Sequence, residues 1–501
     1  MANEKNEGAH VVVVGAGAAG IKLAHTLWKE SLPSKRIQKI TILEANDYVG
    51  GRVRHFEFEG HTVERGANWI SGRELIENFD NPIWQLAKAI ELQGQASDRE
   101  NPERIHVVDC TTSSNTDNTD NGAVVVTKEY LELVQRFDAI YEQALHKSGA
   151  SLSYTSDTDV RTVLESHGWT PKDKLNNLER AVEHNVLEVW AHDSIENLSA
   201  AHELRPGMND VELGQDELFV EDPRGFNSIF TGMVQDLQQQ SSSSQVDLLL
   251  EHPVQSIHYA PGMVKVVAKD LTTGETKEYH ADRIVSTVSV GVLQQQQIHF
   301  DPPFPDWKVT ALNRIEMFCF AKVYAKFRKR LWPADKDYLV FISDGEDNRG
   351  YYPLWMRYKT AKEDEHLYMC YQGGDNARRV ESLSQEQIKD EVQALFSKAF
   401  GGAEDCRPVA VAVTDWSRNP RFCGSYSAFP KNAFATVPIE DLRRGLTGCD
   451  TNDNNANDKP TTLYFAGEAF DNKYNGWVQG GYLSGERVAR TILKDLDSKF
   501  K

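Results

Sequence analysis

The chain has 501 residues, 40% of them hydrophobic and 26% charged, with a formal net charge of −19. Such a length calls for more than one core, and the composition is that of an ordinary globular protein rather than a disordered or fibrous one. The acidic balance argues against nucleic acid as a partner, since phosphates are bound by clustered Lys and Arg, and no apolar run reaches the roughly 18–20 residues that span a bilayer.

No charged-then-apolar leader opens the chain, and Ser498-Lys499-Phe500-Lys501 is not the usual peroxisomal tripeptide. A cytoplasmic location is expected, with a peroxisomal one left open, and no membrane partner. The cysteines (Cys110, Cys319, Cys370, Cys406, Cys423 and Cys449) are scattered, with no C-x-x-C pair. Neither a metal site nor a disulfide framework is expected.

In chain order, residues 10–14 are a β-branched run that stops at a glycine, which reads as a buried parallel strand. Gly15-Ala16-Gly17-Ala18-Ala19-Gly20 follows as G-x-G-x-x-G, then helix-like spacing over 20–28 and a second strand over 40–43. The first glycine permits the tight turn, the second lets backbone approach a pyrophosphate, and the third lets helix pack on strand. The helix start offers unpaired N–H groups to the phosphates, with Ala18 and Ala19 beside them. Glu44 ends the second strand, where a carboxylate accepts from ribose hydroxyls and disfavours a 2′-phosphate. These pieces together predict a dinucleotide site.

Polar stretches at 111–121, 238–245, 294–297 and 450–458 read as surface loops. Alternating apolar stretches between 246 and 290 read as strands, as does 312–331. Lys322 lies inside that last run, where a lysine is costly to bury and loses basicity if it is. Spacing alone leaves level a functional lysine and a partly exposed one at a sheet edge, the reading that suits Lys326. Residues 463–493 read as a short strand, a Gly-rich turn and a closing helix. The expected fold is α/β. A Rossmann-like dinucleotide-binding domain built from discontinuous segments (1–95, 235–295 and 440–501) carries an inserted α+β substrate-binding domain (96–234 and 296–439).

The continuation distinguishes FAD from NAD. Gly50-Gly51-Arg52, Gly66-Ala67-Asn68-Trp69, Phe465-Ala466-Gly467-Glu468, Asn475-Gly476-Trp477 and Gly480-Gly481-Tyr482-Leu483-Ser484-Gly485 together resemble the flavin amine oxidase family. Within it the chain is most similar to the polyamine oxidases. The resemblance implies that Gly51 and Arg52 contact the cofactor phosphates and that Gly66, Ala67, Asn68 and Trp69 run past the flavin ring. It implies that Gly467 and Glu468 hold the ribityl chain, that Trp477 and Val478 reach the ring, and that Trp416 packs against it. Ala45 and Val254 complete the expected FAD contacts.

By the same resemblance, Lys322 hydrogen-bonds a water at the flavin and is the expected catalytic residue. Tyr426 and Trp477 stand on either side of the path to the ring, where facing aromatics pack an amine's carbon chain and attract its cation. Trp69 and Trp190 are further expected substrate contacts. Monoamine oxidases carry, before the cage tyrosine, a cysteine bonded to the flavin. Ser425 cannot form that thioether, so FAD is expected to be non-covalent, with Cys423 structural. Ser71 stands where relatives carry an acid or a histidine, so a remote ammonium must be held elsewhere, by Glu188, Asp193 or Glu196; a solvated helix face explains those charges equally well.

The expected reaction is oxidation of spermine, spermidine or an N-acetyl derivative at a C–N bond, with O2 reduced to H2O2. The acidic charge would help steer the small cationic amine. Two alternatives are an L-amino-acid or monoamine oxidase of the same architecture, and a histone-lysine demethylase-like factor. The first wants an arginine for a substrate carboxylate. The second wants a long heptad-patterned insertion. The chain offers neither.

Overall fold

A computed structural model describes residues 8–32, 36–72, 80–97, 101, 103–111, 123–170, 177–191, 194–204, 217–241, 245–343, 350–358, 365–402, 404–450 and 460–498. A five-stranded parallel sheet runs in the order Val246–Leu249, Ile37–Leu43, Ala9–Val14, Arg283–Ser286, Leu463–Phe465. Val11 to Val13 at its centre are fully buried, as expected of a strand covered on both faces. One face carries the helices Ala18–Ser31, Ser228–Gln240 and Val478–Ser498, which share a core with Val11, Val13, Ile40 and Ile42. The other face packs Val12, Val14 and Ile284 against the strands Val254–Ala260 and Met263–Lys269.

A second, seven-stranded sheet has the order Ala410–Val413, Phe320–Phe327, His366–Gly373, Leu354–Arg357, Tyr338–Ile342, Ile105–Asp109, Val124–Val125. The helix Thr127–Lys147 buries Tyr130, Val134 and Phe137 against one of its faces, and Gln385–Phe400 buries Ile388, Val392 and Phe396 against the other. A short sheet of Trp69–Ile70, Glu217–Val220 and Gly94–Ser97 lies between the two.

Several sequence readings are corrected here. Residues 238–240 end the helix Ser228–Gln240 rather than forming a loop, and a boundary at 235 would cut that helix although it packs as one piece against Ala18–Ser31. A boundary at 95 likewise falls inside the strand Gly94–Ser97. Residues 312–331 are a helix end and two strands, Glu316–Phe318 and Phe320–Phe327. Lys326 is not at a sheet edge, because its strand pairs on both sides. Gly480, Gly481 and Gly485 lie within the helix Val478–Ser498, and at Gly480 and Gly485 the missing side chain allows close packing. A Cβ on Gly485 would sit 2.2 Å from the Ala19 carbonyl oxygen. The predicted loops over 111–121 and 450–458, and the chain's last three residues, lie almost wholly outside the described residues. Among the described residues no helix is long and apolar enough to cross a membrane, and no cluster of His, Cys, Asp or Glu could hold a metal ion.

The third glycine of the fingerprint is a packing requirement. A Cβ on Gly20 would lie 2.0 Å from the Gly15 carbonyl oxygen. Gly20→Ala is expected to destabilise the protein by at least about 1–3 kcal/mol in urea unfolding, the usual cost of overpacking. Gly232, in the helix Ser228–Gln240, has no atom within 4 Å of a built Cβ. Gly232→Ala should stabilise by roughly 0.5–1 kcal/mol.

Candidate active site

One cavity of about 1140 Å³ runs from the glycine turn to the helix Thr127–Lys147. It exceeds the ~300–1,000 Å³ usual for a single small-ligand pocket, which leaves room for a large cofactor and a substrate end to end.

The cofactor end is built at the carboxyl edge of the parallel sheet. Gly15, Gly17, Ala18, Ala19, Glu44, Ala45, Gly51, Arg52 and Val254 line it. Gly20 does not, since it faces the Gly15 backbone instead. Gly17 precedes the helix Ala18–Ser31 without a side-chain cap, so the first-turn amides are presented to the cavity. Glu44 is buried, and its carboxylate accepts from the Ala16 amide (2.7 Å), the Asn46 amide (2.8 Å) and Asn46 Nδ2 (2.6 Å). Burial pushes its pKa up, and those donors and the charge of Arg421 oppose the rise. A glycine cradle, open amides and a terminal carboxylate suit a dinucleotide.

Next along the cavity is an ion pair between Arg52 Nη1 and Glu468 Oε1 (2.9 Å). The same Arg52 nitrogen donates to the Ser425 carbonyl (2.9 Å). Glu468 Oε2 accepts from Ser427 Oγ (2.5 Å) and the Gly476 amide (2.7 Å). Gly66, Ala67, Asn68, Trp416, Gly467, Trp477 and Val478 also line this stretch. Trp416 is fixed by its Nε1 donating to the Arg65 carbonyl (2.9 Å) and by an edge contact with Phe422.

Lys322 lines the middle of the cavity and is 2% exposed. Its Nζ donates to the Gly66 carbonyl (2.6 Å), Asn68 Oδ1 (2.8 Å) and the Glu64 carbonyl (3.1 Å), and lies 5.4 Å from the Trp69 ring. These three acceptors match the three donors of an ammonium group. Burial pushes the Lys322 pKa down, opposed by the charge of buried Glu64, whose own pKa burial pushes up.

Beyond Lys322 the wall is aromatic. Trp190 meets Trp69 (5.8 Å), Tyr371 (5.0 Å) and Phe320 (5.7 Å), and Phe320 meets Tyr426 (6.1 Å). The Tyr426 hydroxyl donates to the Trp190 carbonyl (2.7 Å), which pins the ring. Trp69, Trp190, Tyr426 and Trp477 all line the cavity.

Three expected substrate contacts are not brought to it. Ser71 is buried behind the wall and donates to Glu217 Oε1 (3.1 Å). Glu196 is turned to Arg161 Nε (2.9 Å), which neutralises it. Glu188 is fully buried against His184 and the Ile195 amide. Asp193 lies outside the described residues. The acidic groups that line the cavity beyond the cofactor end are Asp138, Glu142, Glu203 and Glu217, with Tyr130, Tyr141 and His202. Sequence reasoning missed them. Positions 130, 134, 137, 138 and 141 repeat at helical spacing, but such a stripe reads equally as core.

Residues 18–493 match the family of flavin containing amine oxidoreductases. The chain belongs to that family. It is an oxidoreductase and its cofactor is FAD. Polyamine oxidase 1 of Zea mays is 27% identical over 98% of this chain and 92% of its own length. The human lysine-specific histone demethylase 2 is 26% identical over 96% of this chain but only 53% of its own. A putrescine oxidase solved with putrescine bound shares the fold, with a TM-score of 0.67 at 17% identity, covering 97% of this chain and 99% of that one.

This flavin amine oxidase carries in its cavity wall a histidine with a strong pH signature. His202 is buried, contacts the Phe429 ring at 4.3 Å and bonds Tyr154 through Nδ1 (3.2 Å). Burial pushes its pKa down to about 4. The folded pKa is below the ordinary value, so the unfolded chain takes up the proton first and stability falls as pH drops from about 6.5 toward 4. At pH 5 the loss traceable to His202 should be roughly 2 kcal/mol. It is measured as the difference in acid sensitivity of urea unfolding between wild type and His202→Asn.

Proposed function

We propose that the enzyme oxidises a polyamine, such as spermine, spermidine or an N-acetyl derivative, at a carbon next to a secondary amine. The observation that carries this reading is the continuity of one cavity from the dinucleotide cradle, past Lys322 and an aromatic wall, to an acidic far end. In this reading 1–97, 228–298 and 440–501 form the FAD-binding part and the seven-stranded sheet with its helices forms the substrate part. When bound, FAD would supply the hydride acceptor for the carbon beside the unprotonated nitrogen and a route for the electrons to O2, giving H2O2. Water then hydrolyses the imine to an aminoaldehyde and an amine.

The chain's own residues bind, orient and handle protons. The rings of Trp69, Trp190 and Tyr426 pack the carbon chain and exclude water from the reacting carbon. Lys322 holds a water at the reacting edge after its longest bond, to the Glu64 carbonyl, gives way. That carbonyl stays satisfied because the Tyr324 hydroxyl also donates to it (2.7 Å). A lysine whose pKa burial has lowered can hold or release a proton at Nζ near neutral pH.

The remote ammonium meets Glu217. The strand Trp69–Ile70 pairs antiparallel with Glu217–Val220, Ile70 opposite Leu218, which puts Glu217 across from Ser71. The acid absent from position 71 is thus supplied by its cross-strand neighbour, oriented by the Ser71 hydroxyl.

FAD attachment is non-covalent. Ser425 Oγ donates to the Phe320 carbonyl and accepts from the Phe320 amide, both at 2.9 Å, so its chemistry is spent on the strand. Acid precipitation should leave all flavin colour in the supernatant. Colour on the denatured chain would point to Cys423.

Anaerobic flavin bleaching with an amine panel tests the substrate class. Spermine, spermidine or their N-acetyl forms should bleach fastest. Faster bleaching by L-amino acids, by monoamines or by a methyl-lysine histone peptide would replace the reading with one of the alternatives. Lys322→Met should bind FAD yet slow reduction or reoxidation in stopped flow by at least about tenfold, or ~1.4 kcal/mol of barrier. Lys326→Met should not, since Lys326 reaches toward Glu59 instead. Glu217→Gln should raise KM for a polyamine about tenfold while leaving a monoamine's almost unchanged, the cost of one charge-assisted contact.

A further inference from the structure

Arg421 was not among the expected cofactor residues, and no motif above includes it. It sits in the bend after Asn419, whose Oδ1 accepts from the Arg421 amide (3.0 Å), and it lines the cofactor end of the cavity with Pro420 and Phe422. Its guanidinium crosses from that bend to the parallel sheet, where Nη1 donates to Asn46 Oδ1 (2.9 Å). Asn46 is buried, and its Nδ2 donates to Glu44 Oε1 (2.6 Å). The three side chains form a single file: cation, amide, carboxylate. An amide in that position has its oxygen fixed by the arginine, which turns its N–H2 toward the carboxylate.

We propose that Arg421 is a positioning residue for FAD, acting through Asn46 to hold Glu44 ionised and oriented as the acceptor for the adenosine ribose. This rests on the reading of Glu44 as the ribose acceptor. Glu44 needs such help, since burial alone works against its charge and Arg421 is the cation that opposes burial there. Other groups facing it do not substitute. Tyr48 is held neutral, its pKa pushed by burial up to about 12. His252 gives its backbone amide to the Glu44 carbonyl (2.7 Å), while its ring faces the Leu250 carbonyl and Asp270. The file also has a consequence for the substrate half. Residues 420–427 are tied to the FAD-binding elements by Arg421 at Asn46, by the Ser425 carbonyl at Arg52 and by the Ser427 hydroxyl at Glu468. Tyr426, in the aromatic wall, lies between the last two.

FAD affinity of the apoprotein, read by quenching of flavin fluorescence between pH 6 and 9, tests the proposal without any turnover. Arg421→Gln is expected to weaken binding about tenfold, the loss of one charge-assisted link. Its affinity should begin to fall at a higher pH than wild type, because Glu44 without its cation takes up a proton earlier. Glu44→Gln should weaken binding and flatten the pH profile, and adding Arg421→Gln to it should cost nothing further. Wild-type affinity in Arg421→Gln at every pH overturns the inference while leaving Glu44 its role. Additive losses in the double variant also overturn it, placing Arg421 in direct contact with FAD. Wild-type affinity in Glu44→Gln overturns the underlying reading as well. Arg421 is exposed, so an unchanged melting temperature of the apoprotein variant separates these outcomes from misfolding.

Discussion

The site depends on the ion pair between Arg52 and Glu468. Arg52 belongs to the opening βαβ segment and Glu468 follows the last strand of the same sheet. Glu468 is almost wholly buried, and a buried carboxylate is tolerated only when paired and fully hydrogen-bonded. Here the bonds that satisfy it are also the ones that place the active site. Its second oxygen fixes Ser427, one residue from Tyr426, and the Gly476 amide, one residue from Trp477. Arg52 takes the Ser425 carbonyl. Removing Arg52 would leave a buried carboxylate without its cation, and removing Glu468 would release both sides of the aromatic passage at once.

A second constraint is the strand Phe320–Phe327, which carries Lys322 into the cavity. It can do so because the strand is interior to its sheet and its backbone is satisfied on both sides. Lys322 then answers to three acceptors contributed by the hairpin end at Glu64 and the turn leading to Trp69. The lysine therefore joins the two halves of the molecule as well as serving the cavity. Buried Glu64 and Lys322 also support one another, since each makes the other's charge less costly.

The sequence made the cofactor half legible because its requirements are local. Gly15, Gly17 and Glu44 are set by one turn and one strand end, and backbone chemistry dictates their types. Lys322 stood out because a lysine in an apolar run is physically anomalous. The far end of the cavity was not legible, since its residues come from elements whose meeting depends on the whole fold. Ser71 looked like a gap in the substrate wall, and only strand register reveals that Glu217 lies opposite it. Glu196 and Glu188 carried the right charge, but the pairing of Glu196 with Arg161 and the placing of Glu188 beside His184 involve partners that no spacing rule identifies. Arg421 and Asn46 are separated by most of the chain, and neither is unusual by itself.

The parallel sheet has a consequence for how the protein is made. Its central strand is Ala9–Val14, yet a neighbour on one side is Arg283–Ser286 and the edge beyond that is Leu463–Phe465. The helix Val478–Ser498 covers Ala18–Ser31. A ribosome delivers the glycine turn first and its lid last. Until then Ala18–Ser31 has only part of its cover, from the first two strands and the helix Ser228–Gln240, and pairings of such long sequence separation form slowly. The nascent chain must therefore leave part of an apolar helix surface unpaired until residues 478–498 have been made.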